Sequence, residues 1–81
     1  GNLLIPDNVV NIGEGAFKGC TGFDGNLQFG KNLETIDTDA FRGCANFKGN
    51  IVIPDAVKTI GNTAFKGCEN LLTNNRELVK I

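Results

Sequence analysis

Histidine, tryptophan, tyrosine and methionine are all absent from this 81-residue sequence. Without histidine there can be no His-based triad, no imidazole general base and no histidine metal ligand. No apolar run approaches the ~20 residues of a membrane-spanning helix, and no basic-then-apolar leader stands at the start. Like charges form no block, and a formal net charge of −1 lacks the basic surplus that nucleic-acid binding calls for. With no initiator methionine, the sequence reads as a mature product or an excised segment. Its length leaves room for a single domain, residues 1–81, with a small core.

Glycine, phenylalanine and cysteine are what the sequence does have, at 11, 6 and 3 residues. Cys20, Cys44 and Cys68 are evenly spaced by 24, as are the pairs Ala16-Phe17, Ala40-Phe41 and Ala64-Phe65. Ile5-Pro6 recurs at Ile53-Pro54, two periods on. A fixed period of this size marks a repeat array, because one unit cannot bury its apolar face alone. Aligned on it, the units are 2–25, 26–49 and 50–73. The first and third agree at 12 of 24 positions, the first and second at 10, the second and third at 8. Residues 74–81 fall out of register and are expected to cap one end, with Leu78, Val79 and Ile81 in a closing strand.

Within a unit the apolar positions describe one coil. Leu3 and Ile5, Leu27 and Phe29, Ile51 and Ile53 alternate with their neighbours, the period-two mark of a short strand. Pro6 and Pro54 end that strand, since proline cannot donate to a ladder, and Gly30 ends it in the middle unit. Val9 and Ile12, Leu33 and Ile36, Val57 and Ile60 then turn inward at a spacing of three. Ala-Phe-(Lys/Arg)-Gly-Cys follows as a tight helical or 3₁₀ corner that glycine stops at once. Phe23, Phe47 or Leu71 leads back to the next strand. Stacked coils place equivalent residues in columns ~4.8 Å apart, so Phe17, Phe41 and Phe65 form an aromatic spine beside a column of thiols. The expected fold is a β-rich solenoid of three 24-residue repeats, with short strands and short helical corners.

The string I-P-D-x-V-x-x-I-G-x-x-A-F-K-G-C at 5–20 and 53–68 resembles the BspA-type leucine-rich repeat of bacterial and protist surface proteins. The resemblance covers residues 2–71. In that family the unit recurs about every 23 residues, whereas here one extra residue lies in the return (Asp24-Gly25-Asn26, Lys48-Gly49-Asn50). The middle unit also replaces Ile-Pro by Phe29-Gly30 and Ile-Gly by Ile36-Asp37. The resemblance implies a right-handed leucine-rich-repeat coil of the α/β horseshoe type. It also implies an extracellular or cell-surface location and a role in adhesion or in binding an extracellular or host protein or glycan.

The chemistry-bearing residues read as structural. Three cysteines spread along an axis do not converge as zinc ligands must. A bridge between neighbours would leave one over, so buried free thiols are expected. Gly13, Gly15 and Gly19 lack the spacing of a nucleotide loop. The carboxylate pairs Asp37/Asp39 and Glu34/Asp55 lie at turns and read as solvated charge. No catalytic residue, cofactor site or metal site is assigned, and the chain is expected not to be an enzyme.

Two surfaces are candidates for a partner. One is the outward side of the strands: Asn2, Leu4, Asn26, Gln28, Asn50 and Val52. Its simpler reading is that the asparagines cap turns through their amides. The other is a basic ridge of Lys18, Arg42 and Lys66, for acidic polymers or sulfated glycans. Its simpler reading is that long side chains cover the phenylalanine spine while their charged ends stay in water. In the columns Asp7/Lys31/Asp55 and Val10/Glu34/Lys58 opposite charges sit next to each other between coils and favour one register. Exposed strand edges at the ends predict end-to-end self-association or an origin in a longer array. A surface binding module, a structural spacer and the repeat portion of a larger enzyme are the functions this leaves. Titration with a thiol reagent checks the core reading: three thiols should react in unfolded protein, and a single one would indicate a bridge.

Overall fold

The alternating apolar residues do form strands, and the repeat period appears directly as strand register. The computed structural model describes residues 1–73. Its elements are β1 (Leu3–Ile5), β2 (Asn11–Ile12), β3 (Leu27–Phe29), β4 (Thr35–Ile36), β5 (Gly49–Ile51), β6 (Thr59–Ile60) and β7 (Leu71–Thr73). β1 pairs in parallel with β3, setting Leu3 opposite Leu27 and Ile5 opposite Phe29. β2, β4 and β6 form a three-stranded parallel sheet, with Ile12, Ile36 and Ile60 in one file. In both sheets, partners are 24 residues apart. The β2–β4–β6 strands are each only two residues long, too short for alternation to reveal, and the spacing of Val9 to Ile12 was their only trace.

The third unit departs from the expected pattern. Its strand covers Gly49–Ile51 instead of reaching Ile53, and it pairs with β7 so that Gly49 faces Leu71, an offset of 22. β3 and β5 are not paired, so the sheets stay separate. The early start of β7 follows from the sequence: Leu71-Leu72 is apolar where Phe23 and Phe47 are followed by a polar residue, glycine and asparagine. The chain therefore enters an extended run two residues sooner. The closing strand expected over Leu78, Val79 and Ile81 lies outside the described residues.

The Ala-Phe corner is a chain of hydrogen-bonded turns, and no helix or 3₁₀ segment occurs among the described residues. The reason lies in where its N–H groups go. Ala16, Lys18 and Cys20 donate to the carbonyls of Gly13, Gly15 and Phe17, three residues back. Gly15, Phe17 and Gly19 instead donate to Thr38, Ala40 and Arg42 of the next unit at 2.9, 2.7 and 2.7 Å. The middle corner repeats this, with Asp39, Phe41 and Gly43 bonding to Asn62, Ala64 and Lys66. Beyond its first turn a helix bonds successive N–H groups within its own segment; here every second one is given to the neighbouring unit.

Stacking the units stacks the rings. Phe17 and Phe41 lie 5.2 Å apart and Phe41 and Phe65 5.3 Å apart, within 7° of parallel. Phe23 and Phe47 make a second stack at 5.4 Å, and Phe29 meets Phe41 edge-on at 5.9 Å. Leu33, Phe41, Cys44 and Phe47 of the middle unit are 0% exposed, whereas their first-unit counterparts Val9, Phe17, Cys20 and Phe23 are only partly buried. At roughly 1.5–3 kcal/mol per fully buried large apolar side chain, the neighbours on both sides are what stabilise a unit.

Close approach between units explains two glycines. A Cβ on Gly30 would lie 2.6 Å from the backbone of Pro6, so the middle unit has no room for a second proline below the first. A Cβ on Gly61 would lie 2.2 Å from the Thr38 nitrogen and 2.5 Å from the Asp37 carbonyl carbon. Gly13 occupies the same column at the open end, and there a Cβ would meet nothing within 4 Å. Gly61→Ala should therefore destabilise by about 2 kcal/mol or more, as overpacking does, while Gly13→Ala stays near neutral. Urea melts of the two variants check this, and equal losses would contradict the packing.

Candidate functional site

The strand face is built by β1 and β3 and by the extended residues that follow β5. Period-two alternation that sends Leu27 and Ile51 inward turns Leu4, Gln28 and Val52 out. Leu4 is 62% and Val52 63% exposed. Between them, where β3 has no partner strand on the third-unit side, a shallow groove of about 290 Å³ opens, lined by Leu4, Leu27, Gln28, Phe29, Asn50 and Val52. The structure thus brings four of the six expected strand-face residues, Leu4, Gln28, Asn50 and Val52, around one depression. Asn2 has a different job: its Oδ1 accepts the Asn26 backbone N–H at 2.8 Å, as the turn-capping reading expects. Asn26 is exposed at the edge of this face and lines no part of the groove.

The basic ridge contains an acid that the sequence did not reveal. Asp39 lies between Lys18 Nζ at 3.9 Å and Arg42 Nη1 at 3.6 Å, and Lys66 is the ridge cation that makes no ion pair among the described residues. Asp39 also accepts a hydrogen bond from the Thr63 hydroxyl of the next unit. Together these place its carboxyl below the ordinary 3.8: the Thr63 hydroxyl acts most strongly, desolvation opposes it, and Arg42 and then Lys18 lower it by less. Asp39 and Thr63 have φ of 59° and 56°, in the column where the first unit has Gly15 at 63°. Small polar residues replacing a glycine are the sign of a left-handed position. With Arg42 three residues on, that sign could have placed Asp39 beside the ridge.

Of the other charged columns, Lys58 pairs with Glu34 at 3.7 Å. Asp7 instead accepts the Lys31 backbone N–H at 3.0 Å through Oδ1, and Asp37 caps its own turn by accepting the Thr38 N–H. All three thiols are free; Cys44 and Cys68 are buried, and Cys20 is half-buried at the open end. Cys44 Sγ donates to the Phe17 carbonyl at 2.9 Å and Cys68 Sγ to the Phe41 carbonyl at 3.0 Å. Burial raises the Cys44 thiol above its ordinary value and pushes Cys68 up to about 12, with Cys44 adding to the latter.

Parallel pairing at a 24-residue register in two of the three sheets, stacked rings and a corner shared between units define a β-rich repeat protein. The family described as BspA type Leucine rich repeat region (6 copies) matches residues 1–77, and the chain belongs to it. It is a repeat module of a class whose stacked faces serve protein contact. No curated protein and no solved structure matches the chain.

The Asp39 arrangement carries a pH signature. A carboxyl with a lowered folded-state pKa adds stability that is present above its unfolded value and lost as pH falls through the folded one. Carbon-detected NMR titration should place the Asp39 midpoint below 3.8, and Thr63→Val should move it upward. A midpoint unchanged by that substitution would remove the hydroxyl as the main cause.

Proposed function

We propose that this chain is a non-catalytic binding module of a surface or secreted protein, and that its strand face takes a protein partner. The geometry is read as a right-handed solenoid of three leucine-rich coils in which the strand columns are the contact surface. One observation carries the reading: the groove bounded by Leu4 and Val52, two large apolar side chains more than 60% exposed on the face that the strand order turns outward. Gln28 and Asn50 supply amide donors and acceptors at its floor and rim. An apolar pair framed by neutral amides suits an extended protein segment with an apolar side chain between hydrogen-bonding backbone groups. The family membership supports the same reading, as does the commonly surface-associated setting of such repeats.

The basic ridge is the weaker site for an acidic polymer, because Asp39 offsets part of its charge. On this reading the ridge holds the corner in register and the strand face meets the partner.

A panel of extracellular-matrix proteins and glycans, read by surface plasmon resonance, tests the assignment. Binding to a protein member should be lost in the double variant Leu4→Asp, Val52→Asp. Exposed substitutions of this kind usually change stability by only about 0.5 kcal/mol, so the fold should be retained. Replacing Lys18, Arg42 and Lys66 by Ser should leave protein binding unchanged. Heparin retention abolished by the triple serine variant, with no protein bound, would instead favour the ridge. No binding to any member would favour a spacer.

A further inference from the structure

The two ends of the stack differ in what they expose. At the third-unit end Ala64, Phe65 and Cys68 are each 0% exposed, so that end is closed within the single chain. Their column counterparts at the first-unit end are open: Ala16 is exposed, and Phe17 and Cys20 are only half-buried. Leu3, Ile5, Val9, Ile12, Ala16 and Phe17 line an apolar hollow of about 400 Å³ there. Copies of such a stack cannot join unlike ends in a growing file; two of them can meet only open end to open end.

The backbone of this open end is self-complementary. Around the coil the β1 strand, the β2 strand and the Ala-Phe corner follow one another as three sides. On the first side Leu3 donates to the Asn26 carbonyl at 2.9 Å, so alternation along the strand turns the N–H and carbonyl of Leu4 away from β3 and out of the stack. On the second side Glu34, Thr35 and Asp37 donate to the carbonyls of Val10 and Ile12. Val10, Asn11 and Gly13, in the same columns as those donors, therefore turn their N–H groups outward. On the third side Thr38, Ala40 and Arg42 accept N–H groups from the first unit, and their counterparts Glu14, Ala16 and Lys18 turn carbonyls outward. Leu4 and all six of these donors and acceptors lie on exposed residues. One side thus offers donors, another acceptors, and the strand between them one of each.

We propose that two copies of the chain pair through their first-unit ends, about a two-fold axis that lies in the junction and runs from Leu4 to the bend at Gly13-Glu14. That axis sets β1 antiparallel to β1 of the second copy, where the two Leu4 residues exchange a pair of hydrogen bonds. It also exchanges the other two sides. The N–H groups of Val10, Asn11 and Gly13 then meet the carbonyls of Lys18, Ala16 and Glu14 of the second copy, and the reverse. The open face of Phe17 packs against Val9 and Ile12 across the junction and closes the apolar hollow. The molecule is 23 to 25 Å across, so pairing two end faces removes roughly 1,000 Å² from water, the lower bound for a specific interface. The dimer is accordingly weak and reversible. Its contact is isologous and uses the one open apolar end among the described residues, so assembly stops at two copies. It does not rest on the strand-face reading, and Gln28 and Val52 stay outside the junction.

Sedimentation equilibrium of the 81-residue chain over rising concentration tests it. The weight-average mass is expected to rise and level off at two copies. Ala16→Glu should abolish that rise while leaving the circular-dichroism melt of dilute protein unchanged, since Ala16 is exposed in the single chain. Glu14 stands beside its own image at the axis, so Glu14→Gln should tighten the pair several-fold; Val52→Asp should leave it intact. As a second readout, hydrogen exchange at the Leu4 and Asn11 amides should slow as concentration rises. A monomer at every concentration, a mass climbing past two copies, or amide exchange independent of concentration would each overturn the proposal. So would association that survives Ala16→Glu, is lost in Val52→Asp or is not tightened by Glu14→Gln.

Discussion

Every second backbone N–H of the Ala-Phe corner is committed to a carbonyl one unit away, and most of the structure follows from that division. It prevents the corner from becoming a helix and sets the spacing of the phenylalanine rings. It also forces a left-handed residue at the place occupied by Gly15, Asp39 and Thr63. The rings then stack at 5.2 to 5.4 Å, close to the strand separation imposed by the hydrogen bonds. Burial makes the stack favourable, but the backbone bonds decide which residues meet. A slip of one position would turn the inward file of Ile12, Ile36 and Ile60 outward and leave the corner donors without acceptors.

Much of this was legible in the sequence because the repeat enforces it. A period of 24 read from Cys20, Cys44 and Cys68 is the register of β1 with β3 and of β2 with β4 and β6. The aromatic spine and the free thiols follow from the same columns. The expected helical corner did not form, because a short Ala-Phe segment ending in glycine has the same local signature whether its N–H groups turn inward or reach a neighbour. Only the neighbour decides. The offset of 22 at β7 was visible in part, in the missing polar turn after Leu71, but a period established twice masked its failure at the third return.

The candidate surfaces were legible to a different degree. Strand alternation correctly put Leu4, Gln28 and Val52 on one face, yet the groove between them depends on β3 lacking a partner, which no local pattern shows. The ridge was read from three cations alone. Asp39 was set aside as solvated charge because a sequence column runs vertically, whereas this acid reaches Lys18 and Arg42 diagonally. Contacts across columns need the pitch and tilt of the backbone, and those come only with the structure.

The thiol column has a chemical consequence of its own. The Phe17 carbonyl accepts both the Cys20 backbone N–H and the Cys44 thiol, and the Phe41 carbonyl accepts both the Cys44 N–H and the Cys68 thiol. A disulfide between Cys44 and Cys68 would take away both S–H donors and leave each of these carbonyls with one bond instead of two. Burial holds the same sulfurs in their protonated, unreactive form. The interior thus resists oxidation by its own hydrogen bonding. A protein packed this way can keep reduced cysteines in an oxidising environment, where small domains more often rely on cross-links.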